Sequence, residues 1–120
     1  MGQSIVFLTF MKKIEATIKK EKLGDVEREL QRMGVSDVLI VNTVRNEGIE
    51  LHYSRGTKTF VTSKAPYVKI ELVVPSETAK EIARNLLKIA GSGTVMLYEV
   101  EDMLIQSDGI QIETEEQDYR

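Results

Sequence analysis

The 120-residue chain has no cysteine, one histidine and no long apolar run, and each shortage removes a class of function. Without cysteine there is no disulfide framework, thiol nucleophile or thiolate metal site, a composition compatible with a reducing cytosol. His52, the only histidine, cannot furnish a zinc site by itself. Positive charge is not in excess either: 16 Lys and Arg against 19 Asp and Glu leave a net charge of -3. The basic residues are scattered among acidic ones, which supplies no cationic field for a phosphate backbone and sets nucleic acid aside as a partner. The apolar start Ile5 to Phe10 is far shorter than the roughly 20 residues that span a bilayer. The basic pair Lys12-Lys13 follows this run, whereas a secretory signal carries its basic segment first. These features predict a cytoplasmic protein. Residues 1–10 read as an N-terminal extension, either a further length of strand or an upstream start before a domain that begins at Met11.

What is present is ordinary for one globular domain with one core, with 42% apolar and 29% charged residues. From Lys13 to Ile18 apolar and polar residues alternate, which predicts a strand with Ile14, Ala16 and Ile18 on its buried face. Leu23, Val26, Leu30 and Met33 then recur at helical spacing, and Gly34 follows where a left-handed C-cap belongs. Val38 to Val41 is a β-branched run that predicts a second strand continuing towards Val44. Residues 45–66 carry Gly48, Gly56 and many Ser, Thr and charged residues around weak alternation at Ile49, Leu51 and Tyr53. A stretch of this length inside a small domain is a functional loop, a loose hairpin or disordered.

Val68 to Val74 returns to clear strand character and stops at Pro75. Ser76 is placed to cap a second helix whose stripe is Ala79, Ile82, Ala83, Leu86 and Ala90, ended by Gly91. Thr94 to Leu104 predicts a fourth strand. Residues 105–120 form an acidic tail with one short strand expected at Ile110 to Ile112. The order β-α-β, long hairpin, β-α-β is the split βαβ arrangement, an α+β ferredoxin-like fold with four antiparallel strands and two helices on one face. Two helices cover only one side of such a sheet, so an exposed apolar opposite face is expected, and with it self-association.

No catalytic constellation is recognisable, because His52 has no orienting group at any diagnostic spacing. The chain therefore reads as a non-enzyme. Glu113, Glu115 and Glu116 lack the ligand spacing and turn glycine of a calcium loop and read as a solvating tail, so no metal site is expected. Gly91-Ser92-Gly93-Thr94 follows a helix, whereas a phosphate cradle precedes one, and taken alone it is a C-cap and turn. Lys12, Lys13, Lys19, Lys20 and Lys22 gather around the first strand, where they serve equally to attract an anion or to guard the strand.

Several words in the sequence resemble one family. Met11-Lys12-Lys13-Ile14-Glu15-Ala16, Lys22-Leu23-Gly24-Asp25-Val26 and Gly34-Val35 resemble the opening of PII nitrogen-regulatory signalling proteins, with their MKKIEAI-like strand and KLDDV-like helix start. Tyr67 to Pro75 resembles that family's KVKIEVVVP strand, and Arg55-Gly56 the RG of its T-loop. The resemblance spans about Met11 to Leu104. It implies a homotrimer with a small-molecule effector, an adenine nucleotide (AMP, ADP or ATP), held in clefts between subunits. It further implies a T-loop-like hairpin at residues 45–66 that contacts a membrane transporter or an enzyme. Carried over by position, Glu71 and Val73 match the adenine pocket, Gly91, Ser92, Gly93 and Thr94 the phosphate-binding loop, and His52, Tyr53, Arg55 and Gly56 the partner-binding loop. The chain departs from the family's pattern in its cations. The TGKIGDGK-like loop is shortened to Gly91 to Thr94 without lysine, and Ile105 to Gly109 stands where the arginines of RIRTGE would be. A triphosphate here lacks its strongest charge-assisted hydrogen bonds. A second reading is a related CutA-like structural or metal-tolerance trimer without nucleotide sensing, against which the absence of cysteine and the single histidine argue.

Overall fold

The computed structural model describes residues 4–107. Alternation and helical periodicity both resolve into the expected elements. β1 is Ser4–Leu8, β2 Met11–Lys19, α1 Leu23–Arg32, β3 Leu39–Ser54, β4 Thr57–Pro75, α2 Ser76–Ala90, β5 Thr94–Val100 and β6 Met103–Ser107, with a single 3-10 turn at Lys20–Lys22 before α1. β2, β3, β4 and β5 form an antiparallel sheet in the order β3-β4-β2-β5, the crossover order of a ferredoxin-like domain.

The core is one layer between this sheet and the two helices. Ile14, Ala16 and Ile18 of β2 and Val68, Ile70, Leu72 and Val74 of β4 point one way and pack with Val26, Leu30, Ala79, Ile82, Leu86 and Ala90. The period of 2 in the strands and 3.6 in the helices puts all of these on facing surfaces. Both helices end as their glycines require. Gly34 (φ 79°) and Val35 donate to Gln31 O at 3.0 Å and Leu30 O at 2.8 Å, a Schellman motif, and Gly91 (φ 74°) donates to Leu87 O at 3.0 Å.

Two expectations are corrected and a third is narrowed. Ser76 is the first helical residue, not the cap: Pro75 (φ -55°, ψ 140°) occupies that place without a side-chain cap bond. The reason is that Pro75 is the last residue with extended backbone, so helical geometry begins one residue earlier than a Ser76 cap requires; the Ser76 N–H, an orphan at that helix start, is satisfied by Phe10 O at 2.7 Å. Thr94 to Leu104 is not one strand. The chain bends at Glu101 and Asp102, both exposed, leaves the four-stranded sheet and pairs as β6 with β1, in register from Ser4 with Ser107 to Leu8 with Met103. Of the alternatives for residues 45–66, the hairpin is the one formed, and it is a regular ribbon. The β3–β4 ladder runs on to Ser54 and Thr57, with one bulge at Glu47 between Asn46 and Gly48, and the whole molecule measures 72 × 27 × 24 Å as a result. The expected strand at Ile110 to Ile112 and the glutamates Glu113, Glu115 and Glu116 lie outside the described residues.

Candidate functional site

Pairing in an antiparallel sheet puts opposed residues on the same face. Glu15 opposes Glu71 on β4 and Met96 on β5, and Glu71 opposes Leu39 on β3. The face away from the helices therefore carries Lys13, Glu15, Lys69 and Glu71 at its centre. Lys13 Nζ lies 2.7 Å from Glu71 Oε1 and 4.0 Å from Glu15 Oε2, and Lys69 Nζ lies 3.6 Å from Glu15 Oε1 and 4.0 Å from Glu71 Oε1. The Lys13 hydrogen bond holds the Glu71 carboxyl below the usual carboxylate range, and the same bond raises Lys13. The expected apolar face is thus an electrically balanced quartet with exposed Leu39 and Val41 on one side and Met96 and Tyr98 on the other. A face that is to be covered tolerates charges only when they are paired, which this quartet satisfies.

Beside the quartet opens a cavity of about 230 Å³, lined by Lys13, Asp37, Leu39, Glu71, Val73 and Met103 among others. Glu71 and Val73, the two strand positions marked from the sequence, sit two residues apart on the same face of β4 and both enter it. Its other walls come from β2, the turn into β3, β3 itself and β6. An ammonium and two carboxylates converge on an otherwise apolar hollow, the mixture that orients a small molecule. A larger cavity of about 420 Å³ lies on the helix side between α1 and the β3 edge, at Leu30, Gly34, Val35 and Ile40, and touches none of the marked residues.

Gly91, Ser92, Gly93 and Thr94 do not join the first cavity within one chain. They form the turn from α2 into β5, all exposed, with Thr94 opposite Thr17. β5 lies across β2 from β4, so two strand spacings, roughly 10 Å, separate this turn's strand from Glu71's. The turn itself is tightly specified: Gly93 has φ 131°, and a Cβ there would lie 2.5 Å from the carbonyl oxygen of Thr17.

Tyr53, Arg55, Gly56 and His52 occupy the far end of the β3–β4 ribbon. Arg55 (φ 51°) and Gly56 (φ 78°) are both left-handed and make the two-residue turn whose twist suits a hairpin. At the ribbon's base Tyr67, only 5% exposed, donates from its hydroxyl to Glu47 Oε1 at 2.6 Å, while the Arg45 guanidinium stands 5.5 Å from its ring centroid. The bond to Glu47 raises the Tyr67 pKa, with burial adding to it. The bulge at Glu47 is what turns this carboxylate towards Tyr67.

Sequence reasoning missed Asp37, Leu39, Met103 and the part Lys13 plays in the cavity. Lys13 shares its parity with Glu15, which was a legible signal. Asp37 and Met103 reach the site only through the β3–β4 register and the bend before β6, neither of which leaves a mark in local composition.

A split βαβ sheet with one uncovered face, a small polar-floored cavity at that face and a projecting ribbon defines a ferredoxin-like α+β domain. Among the described residues no cluster of three metal-ligating side chains occurs, and no helix is long and apolar enough to cross a membrane. The family described as "Nitrogen regulatory protein P-II" matches residues 11–108. The P-II protein of Haemophilus influenzae is 35% identical over 99 residues, covering 76% of this chain and 87% of that one. P-II 1 of Escherichia coli is 31% identical, covering 75% and 86%. Among solved structures, the Bacillus subtilis GlnK–ATP complex is similar with a TM-score of 0.57 at 20% identity, covering 75% of this chain and 84% of that one. Arabidopsis thaliana PII bound to citrate is similar with a TM-score of 0.53 at 15% identity, covering 78% and 79%. The chain belongs to the nitrogen regulatory protein P-II family, and is a signalling protein of that family.

Proposed function

We propose that the protein acts as a homotrimer that binds a small metabolite, an adenine nucleotide, at the Glu71 and Val73 cavity and regulates a transporter or enzyme through the ribbon of residues 45–66. The observation that carries this reading is the half-built nature of the cavity. At about 230 Å³ it falls below the roughly 300–1,000 Å³ of a complete ligand site. It opens beside a face whose paired charges are flanked by exposed Leu39, Val41, Met96 and Tyr98, and a neighbouring copy would both cover those apolar groups and supply the missing wall. The turn at Gly91, Ser92, Gly93 and Thr94, remote from Glu71 in one chain, would reach the cavity from such a neighbour. That related proteins are described as an ATP complex and as bound to citrate supports a small anionic effector.

In this reading residues 11–104 form the ligand-responsive body, and residues 1–10 and 105–120 are additions to it. Asp37 and Glu71 would accept from exocyclic amine donors, and Leu39 and Val73 would flank a planar ring. Ligand occupancy would change the ribbon's position through β3, since Leu39 lies in the cavity and Ser54 at the tip of the same strand. Light scattering on the full chain should give three times the chain mass, and calorimetric titration with AMP, ADP, ATP and 2-oxoglutarate should find binding that Glu71→Ala weakens at least tenfold. A monomer at micromolar concentration, or no heat with any of these ligands, would remove the sensor reading.

A further inference from the structure

The Glu71 and Val73 cavity is not electrically neutral. Three charged side chains line it, Lys13, Asp37 and Glu71. Lys13 is already committed within the chain: its ammonium lies 2.7 Å from Glu71 Oε1 and 5.8 Å from the Tyr98 ring centroid, and together with Lys69 it balances Glu15 and Glu71. Asp37, exposed in the connection between α1 and β3, has no ion pair among the described residues. The hollow therefore carries one uncompensated negative charge.

The parts that stand around it add no cation. β6, whose Met103 forms one wall, belongs to a stretch, residues 89–119, that contains no Lys or Arg but does contain Glu99, Glu101 and Asp102. The same stretch holds the turn Gly91 to Thr94, the wall assigned above to a neighbouring copy. That turn offers neutral donors only, the Ser92 and Thr94 hydroxyls and the exposed backbone beside them. Hydroxyl and backbone N–H donors suffice to hold one phosphate. A second and a third each bring further negative charge towards Asp37, with no ammonium or guanidinium to answer it and without the charge-assisted bonds that are roughly twice as strong as neutral ones.

We infer that the effector is an adenine nucleoside carrying a single phosphate, bound through its exocyclic amine to Asp37, and that Asp37 is the residue that discriminates against di- and triphosphates. An acceptor without a partner suits an amine donor, and a fixed negative charge repels a polyphosphate. The inference rests on the cavity being the effector site and names which ligand of that class it takes.

The test is calorimetric titration of the full chain with AMP, ADP and ATP, in EDTA so that no divalent cation stands in for the absent lysines. Affinity should fall from AMP to ADP to ATP, about threefold at each step, and the steps should shrink between about 50 and about 300 mM salt as the repulsion is screened. Asp37→Asn keeps an amide oxygen as acceptor and removes the charge. It should raise ATP affinity about fivefold and leave AMP within about twofold. Asp37 is exposed, and an unchanged circular dichroism spectrum confirms that the variant is folded. ATP binding as tight as AMP, or an ATP-to-AMP ratio that neither salt nor Asp37→Asn moves, overturns the inference and leaves the effector reading standing. No heat with any of the three removes both.

Discussion

β4 passes through two regimes without a break in its hydrogen-bonded ladder. From Val68 to Val74 every second residue is buried beneath the helices, whereas from Thr57 to Phe60 every residue is exposed. The backbone conformation is the same in both halves. The difference is that the inner half sits under α1 and α2, while the outer half has only β3 beside it. A two-stranded ribbon gains hydrogen bonds that are nearly offset by those lost to water, so its order depends on the turn and on its base. Stability is therefore concentrated in one half of the strand, and freedom to engage a partner in the other.

The largest test of this contrast is truncation under the helices. Leu86→Ala removes a fully buried side chain and should cost about 3 kcal/mol in urea unfolding, whereas Phe60→Ala on the ribbon should leave the midpoint almost unchanged. Equal costs would mean that the ribbon is packed against something. Next in size is Gly93→Ala, where the new Cβ would meet the Thr17 carbonyl; roughly 1–3 kcal/mol of stability should go, with the α2–β5 turn displaced. Gly56→Ala puts a side chain at φ 78° in the open and should cost about 1 kcal/mol, read as faster amide exchange in the ribbon alone.

Tyr67→Phe separates base from tip in a finer way. It removes the bond to Glu47, and exchange protection should fall around the bulge but not in β2. The smallest expected effect is the pH response of the Lys13–Glu71 pair. Glu71 is depressed, so its contribution is complete above the ordinary carboxylate value and is lost as pH falls through its lower folded value. Lys13 is raised, so its contribution is complete below the ordinary lysine value and is lost as pH rises through its higher folded value. Between those limits urea midpoints should be flat, and the acid-side fall should shrink in Glu71→Gln.

Alternation at Ile14, Ala16 and Ile18, the stripe from Ala79 to Ala90 and the stops at Gly34, Pro75 and Gly91 were legible because each is a local pattern with one physical period or one backbone demand. Ser76 misled because a serine before a helix looks like a cap, whereas the helix already begins at Ser76 and Pro75 holds the extended position before it. The site was half legible. Glu71 and Val73 stand on a strand whose parity can be read, but Asp37 and Met103 arrive from turns whose direction no local residue encodes. The ribbon was legible as a hairpin but not as a regular one: Ser, Thr and Gly dilute the alternation, and cross-strand pairing restores order that neither strand would hold alone.

The sequence by itself determined the two helices, the central strands, the apolar faces that meet in the core and where each helix stops, because these follow from side-chain period and from backbone limits at Gly and Pro. Only the tertiary structure decided that four charges on the open face form a neutral quartet, that β6 leaves the sheet for β1, and that Tyr67 and Glu47 clamp the ribbon. Those features depend on strand register and bends, which bring together residues distant along the chain and are set by the packing of the whole molecule.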